Sequence, residues 1–139
     1  MEISDVKRRV VEAIDSAKRE AAARRVRIDE AARDYEGFLA RVAIPIFRQV
    51  SNVLRAEGLA FTVFTPSGSV RLMSDRTGED YIELTLDTAG DIPLVSGHAS
   101  RSRGRRVIES ERPIGPPATL SEDDVLVFLL KELAPLVER

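Results

Sequence analysis

The chain contains no cysteine and no tryptophan, and only one histidine, His98. Without cysteine there are no disulfides, no thiol nucleophiles and no thiolate sites for zinc or iron–sulfur clusters. A single histidine rules out a multi-histidine metal centre or paired-histidine catalysis within one chain. Aromatic residues make up 5%, a poor supply for a platform on which nucleic-acid bases stack. Neither sign of charge dominates: 21 Lys and Arg face 23 Asp and Glu, a formal net charge of −2, whereas a protein that coats DNA is strongly basic. Long hydrophobic runs are missing too. VAIPIF (42–47) and VLVFLL (125–130) are the longest, far short of the ~18–20 residues of a membrane span. The opening MEISDVKRRVVEAI is charged throughout and has no apolar signal-peptide core. These absences predict a soluble cytoplasmic protein with no cofactor, no metal and no membrane attachment.

Catalytic signatures are equally scarce. The patterns GxGxxG, GxxxxGK[ST] and GxSxG do not occur, and nothing points to an enzyme. His98 reads most simply as a strand-end histidine. The acidic loops DRTGED (75–80) and DTAGD (87–91) lack the twelve-residue calcium-loop spacing. They read as turns, with aspartate opening each and glycine in the left-handed position.

What is present is a clear architectural grammar. Residues 1–36 contain neither Gly nor Pro. Ile3, Val6, Val10, Ala13 and Ala17 recur at helical spacing, with Ser4 or Asp5 as candidate caps. The seam turns polar at Glu20, Arg24 and Arg27 and resumes at Ile28, Ala31, Tyr35, Phe38 and Val42 in a phase that resembles a coiled-coil stutter. Arg41, Arg48 and Arg55 form the solvated back of this helix, and Gly58 closes it. Pro45 predicts a kink or short break near 42–45. Residues 1–57 are thus a helical segment, and 58–139 a sheet plus a final helix that form one domain with it.

Beyond Gly58, turn signals separate five strand-like stretches: 60–65, 69–74, 80–87, 92–100 and 105–112. In the third, Ile82, Leu84 and Leu86 alternate with Tyr81, Glu83 and Thr85. The Pro-rich stretch 113–119 is expected to leave the sheet. Leu120 and Ser121, followed by three acids, open a last helix with Ser121 as cap. Its sequence VLVFLLKEL predicts burial nearly all round. The fold class is α+β: a long N-terminal helical segment, a five-stranded antiparallel meander, and a C-terminal helix packed on the sheet.

Two features suggest function. A helix of about 40–55 residues is roughly 60–80 Å long, more than one small domain can cover, so its seam needs another helix. Val6, Val10, Ile28, Tyr35, Phe38 and Val42 are its candidate interface, and the reading is an assembly or adaptor module, a homo-oligomer or the binder of a protein partner. The second feature is HASRSRGRRV (98–107), where Arg101, Arg103, Arg105 and Arg106 crowd one hairpin tip. Arginine forks suit an anionic partner, which makes a nucleic-acid-binding accessory protein using 101–106 the alternative. The simpler reading is that these charges keep an edge hairpin soluble.

Overall fold

The structure is a computed structural model that describes residues 1–138. Alanine and straight-chain charged residues are the strongest helix formers, and helix α1 runs over Ile3–Phe38 without interruption. Glu2 is its N-cap and offers no side-chain hydrogen bond; Ser4 and Asp5 fall inside the first turn. The four-residue shift of the seam lies within this continuous helix: a straight helix drifts about 20° per heptad against a seven-residue count, and the step from Arg24 to Ile28 follows that drift.

The expected kink or break at 42–45 is a π-turn, Leu39–Ala43, in which the Ile44 N–H donates to the Leu39 carbonyl. Helix α2, Ile44–Ala56, follows directly with Pro45 in its first turn. There the missing N–H costs least, and the widened turn relieves the proline's clash with the carbonyl four residues earlier. The helical path from Ile3 to Ala56 is therefore about 80 Å long. It ends in a Schellman motif: Gly58 has φ 82°, and Leu59 and Gly58 donate to Leu54 and Arg55 carbonyls at 2.8 and 3.1 Å.

Strands β1 (Phe61–Phe64), β2 (Val70–Ser74), β3 (Tyr81–Asp87), β4 (Leu94–Arg103) and β5 (Arg106–Gly115) pair in chain order, every pair antiparallel. β5 runs further than the sequence suggests. Pro113 lies within it, opposite Ser96, and Gly115 pairs with Val95. An edge strand tolerates a proline because one side of its ladder has no partner to lose. The register slips between Val95 and Ser96, and the extra residue, Ile114, packs against the core.

The core is shared by both halves of the chain. Tyr35, Phe38, Ile46, Phe47 and Leu54 from the helices meet Leu72, Ile82, Leu84 and Val95 from the sheet. The predicted alternation in β3 holds: Ile82 and Leu84 are buried, whereas Tyr81, Glu83 and Thr85 are half-buried on the other face. Helix α3, Glu122–Val137, opens with a reciprocal capping box between Ser121 and Asp124. It lies against β3, β4, α2 and the π-turn. Pro135 sits inside its last turn. Val125, Phe128, Leu129, Leu133 and Leu136 are buried, but Val127 and Leu130 are exposed. Burial all round is thus corrected to burial of one face. The exposed side borders a groove of about 260 Å³ against Val50 and Val53 of α2.

Candidate functional site

Two surfaces carry the residues singled out by sequence. The first is the N-terminal part of α1. From Val6 to Val26 every residue is exposed, including Val6, Val10, Val11 and Ile14; Ile28 is half-buried, and Ala31 is the first buried residue. Val6, Val10 and Ala13 precede Ala31, Tyr35 and Phe38 by the same interval, 25 residues, which is about seven turns of regular helix. The exposed face is therefore the collinear extension of the face that packs on the sheet.

The polar gap in the seam has a local cause. Arg24 donates to the Thr88 and Ala89 carbonyls at 3.2 and 3.3 Å, so the helix leaves the domain at the loop joining β3 to β4. Arg27 meanwhile pairs with Glu20 at 3.2 Å. Three of the six interface candidates lie elsewhere than the seam reading puts them. Tyr35 and Phe38 are buried in this chain's own core and Val42 packs against it, so they are not free to meet a partner helix. The Tyr35 hydroxyl donates to the Gly68 carbonyl at 2.8 Å and lies 3.3 Å from that of Leu84. Burial, and after it the nearby Glu83 charge, pushes this phenol well above its ordinary range. Heptad counting could not separate the covered part of the stripe from the uncovered part, because both have the same periodicity.

The second surface is the hairpin of β4 and β5. Arg103 pairs with Arg106 across a two-residue turn, Gly104–Arg105. Gly104 has φ 63°, and glycine with positive φ at the first central position suits the type II′ turn of a two-residue hairpin. The arginines do not splay evenly. Cross-strand partners and residues two apart share a sheet face, so Arg101, Arg103 and Arg106 lie together on the face that holds the helices. There Arg101 and Arg103 line a cleft of about 190 Å³ with Pro135, Leu136 and Glu138. This sets them beside the C-terminal end of α3, where a helix dipole favours cations. Among the described residues, none of the four arginines is within ion-pair distance of a carboxylate.

The base of the hairpin is latched in a way the sequence does not disclose. Buried Asp80 accepts from the Ser102 backbone N–H at 2.7 Å and from its hydroxyl at 3.1 Å, and Ser100 donates to the Glu79 carbonyl at 2.7 Å. Only the register of β3 on β4 brings these residues together. The other loop acids also have local roles. Asp87 accepts from the Ala89 N–H at 2.9 Å. Asp75 is held by Thr62 and Arg55 at 2.6 and 3.0 Å, chiefly the Thr62 hydroxyl, which keeps its carboxyl below the ordinary 3.8. Arg55 thus keeps its place on the exposed back of the helix, with its side chain 48% exposed, and is also a strut between α2 and the sheet. Gly78 and Gly90 do not take the left-handed conformation expected of them.

His98 lies on the sheet face away from the helices. Its ring stacks on Tyr81 at 5.6 Å, and Nε2 is 3.5 Å from Glu109. Arg71 covers the same tyrosine and pairs with Glu83 at 2.8 Å. Among the described residues no three His, Asp or Glu side chains gather in a metal-ligating group, and no helix is long and apolar enough to cross a membrane. No protein-family model, curated protein or solved structure matches the chain.

Proposed function

We propose that this protein is a non-enzymatic assembly or adaptor module that binds a copy of itself, or a partner helix, through the N-terminal part of α1. One observation supports this above all: Val6, Val10 and Ile14 are 44%, 52% and 48% exposed on a helix whose stripe is in line with the domain's own packing face. The stretch Ile3–Ala23 projects about 30 Å. Its apolar stripe gains free energy when it is removed from water, and a second helix of the same pattern supplies the cover. The cysteine-free chain allows a direct test with pyrene attached at Ser16→Cys. Excimer emission that rises with concentration, and that Val6→Glu with Val10→Glu abolishes, is the expected result. Absence of excimer at every concentration contradicts self-association.

A second reading rests on the hairpin. Three guanidinium groups on one face, without carboxylate partners and on a latched base, suit a phosphate backbone. It ranks below the first because the cleft beside Arg101 and Arg103 also holds Glu138, and because the surface offers few aromatic rings.

A further inference from the structure

The π-turn borders a cleft of about 290 Å³, closed on its far side by the turn that follows β5. This is the lower end of the size range of small-molecule sites. Its floor is apolar: Phe38 and Pro117 are buried, and Val42 and Leu120 pack against the core. Its rim is charged, with Arg33, Asp34 and Arg41 among the lining residues. We infer that this cleft binds a compact organic carboxylate, with the apolar body of the ligand on Phe38 and Leu120 and its carboxylate between Arg33 and Arg41.

Gly37 is the observation that carries this furthest. Arg33, Gly37 and Arg41 follow one another at intervals of four, so they stack on one side of the helix. The Arg41 guanidinium lies back over Gly37, where a Cβ would overlap it. Pro45 accounts for the widened turn, but it gives no reason for glycine, a poor helix former, at position 37 inside α1. What glycine permits is the folded-back arginine at the mouth of the cleft. Among the described residues, neither Arg33 nor Arg41 has a hydrogen-bond or ion-pair partner.

The charge at the rim selects the ligand class. Two guanidinium groups and the Asp34 carboxylate leave one net positive charge, which matches a monocarboxylate. Arginine's planar fork fits that group with paired hydrogen bonds. Inorganic phosphate offers no hydrocarbon for the floor, and an amine would meet two cations. The cleft lies beyond the projecting part of α1, so this site is independent of assembly.

The test is a titration of the full chain with phenylacetate, followed by amide NMR shifts. Saturable shifts are expected at 33–42 and 115–120, with none from phenethylamine, which has a matching ring and the opposite charge, and none from inorganic phosphate. Arg41→Gln and Arg33→Gln should each weaken binding about tenfold, the loss of one charge-assisted contact. Gly37→Ala should raise the thermal midpoint, because alanine is the better helix former, and still weaken binding about tenfold by displacing Arg41. Unmoved amides at millimolar phenylacetate, equal binding of phenethylamine, or unchanged affinity in Arg41→Gln would overturn the proposal. So would unchanged affinity in a folded Gly37→Ala.

Discussion

At position 97 the sheet has no side chain, and the Phe128 ring fills that space; a Cβ there would overlap the ring. The close approach seats α3 on β4, so Gly97→Ala should lower stability by about 1–3 kcal/mol through overpacking. Leu129→Ala, at a fully buried position, should cost about 2–5 kcal/mol by leaving a cavity. Denaturant midpoints measure both, and an unchanged midpoint would mean that α3 does not pack as described. Tyr35 makes a separate, pH-dependent contribution. Its folded-state ionisation is pushed above the ordinary 10.0 by burial, so the unfolded chain loses its phenolic proton first. Stability should therefore be full below pH 10 and fall as the pH rises beyond it. Tyr35→Phe should flatten that alkaline fall in a pH series of denaturation curves, while costing about 0.5–1.5 kcal/mol at neutral pH. The sequence marked Tyr35 as one seam residue among several. Its hydrogen bond to Gly68 is invisible there, because the two meet only when helix and sheet are assembled.

Among the elements, those governed by local chemistry were legible and those governed by contacts were not. Ser121 followed by acids announced the start of α3, and Ile82, Leu84 and Leu86 announced the inner face of β3. Pro113 misled because its tolerance depends on β5 being an edge, which is a property of the sheet. Pro45 marked the place where the α-helix is interrupted, but not that the interruption is a widened turn beginning at Leu39. The hairpin tip was legible in its turn glycine, but the gathering of Arg101, Arg103 and Arg106 on one face followed from register. That element makes its own prediction. Replacing Arg101, Arg103, Arg105 and Arg106 with serine should leave the denaturation midpoint nearly unchanged, since the tip supplies no buried apolar side chain. If the tip neutralises four DNA phosphates, wild-type affinity should fall with a log–log salt slope near about −3.6, roughly 150-fold from about 50 to 200 mM salt. Filter binding across that range decides it. Assembly as the main function predicts weak, salt-sensitive binding; tight binding at physiological salt that the serine variant loses would reverse the ranking.

For the whole molecule, the governing fact is a mismatch of dimensions. A helical path about 80 Å long is anchored to a single layer of sheet only from the neighbourhood of Arg24 onward. The part before that anchor carries the apolar stripe of a packed helix, and among the described residues nothing buries it. Apolar surface of this kind gains free energy when another apolar surface removes it from water. The most direct measurement is the mass of the full chain in solution by light scattering from low to high micromolar concentration. Self-association through α1 predicts a mass above one chain that rises with concentration, and a return to a single-chain mass in Val6→Glu with Val10→Glu. A strict single-chain mass for the wild type at high micromolar concentration would contradict it.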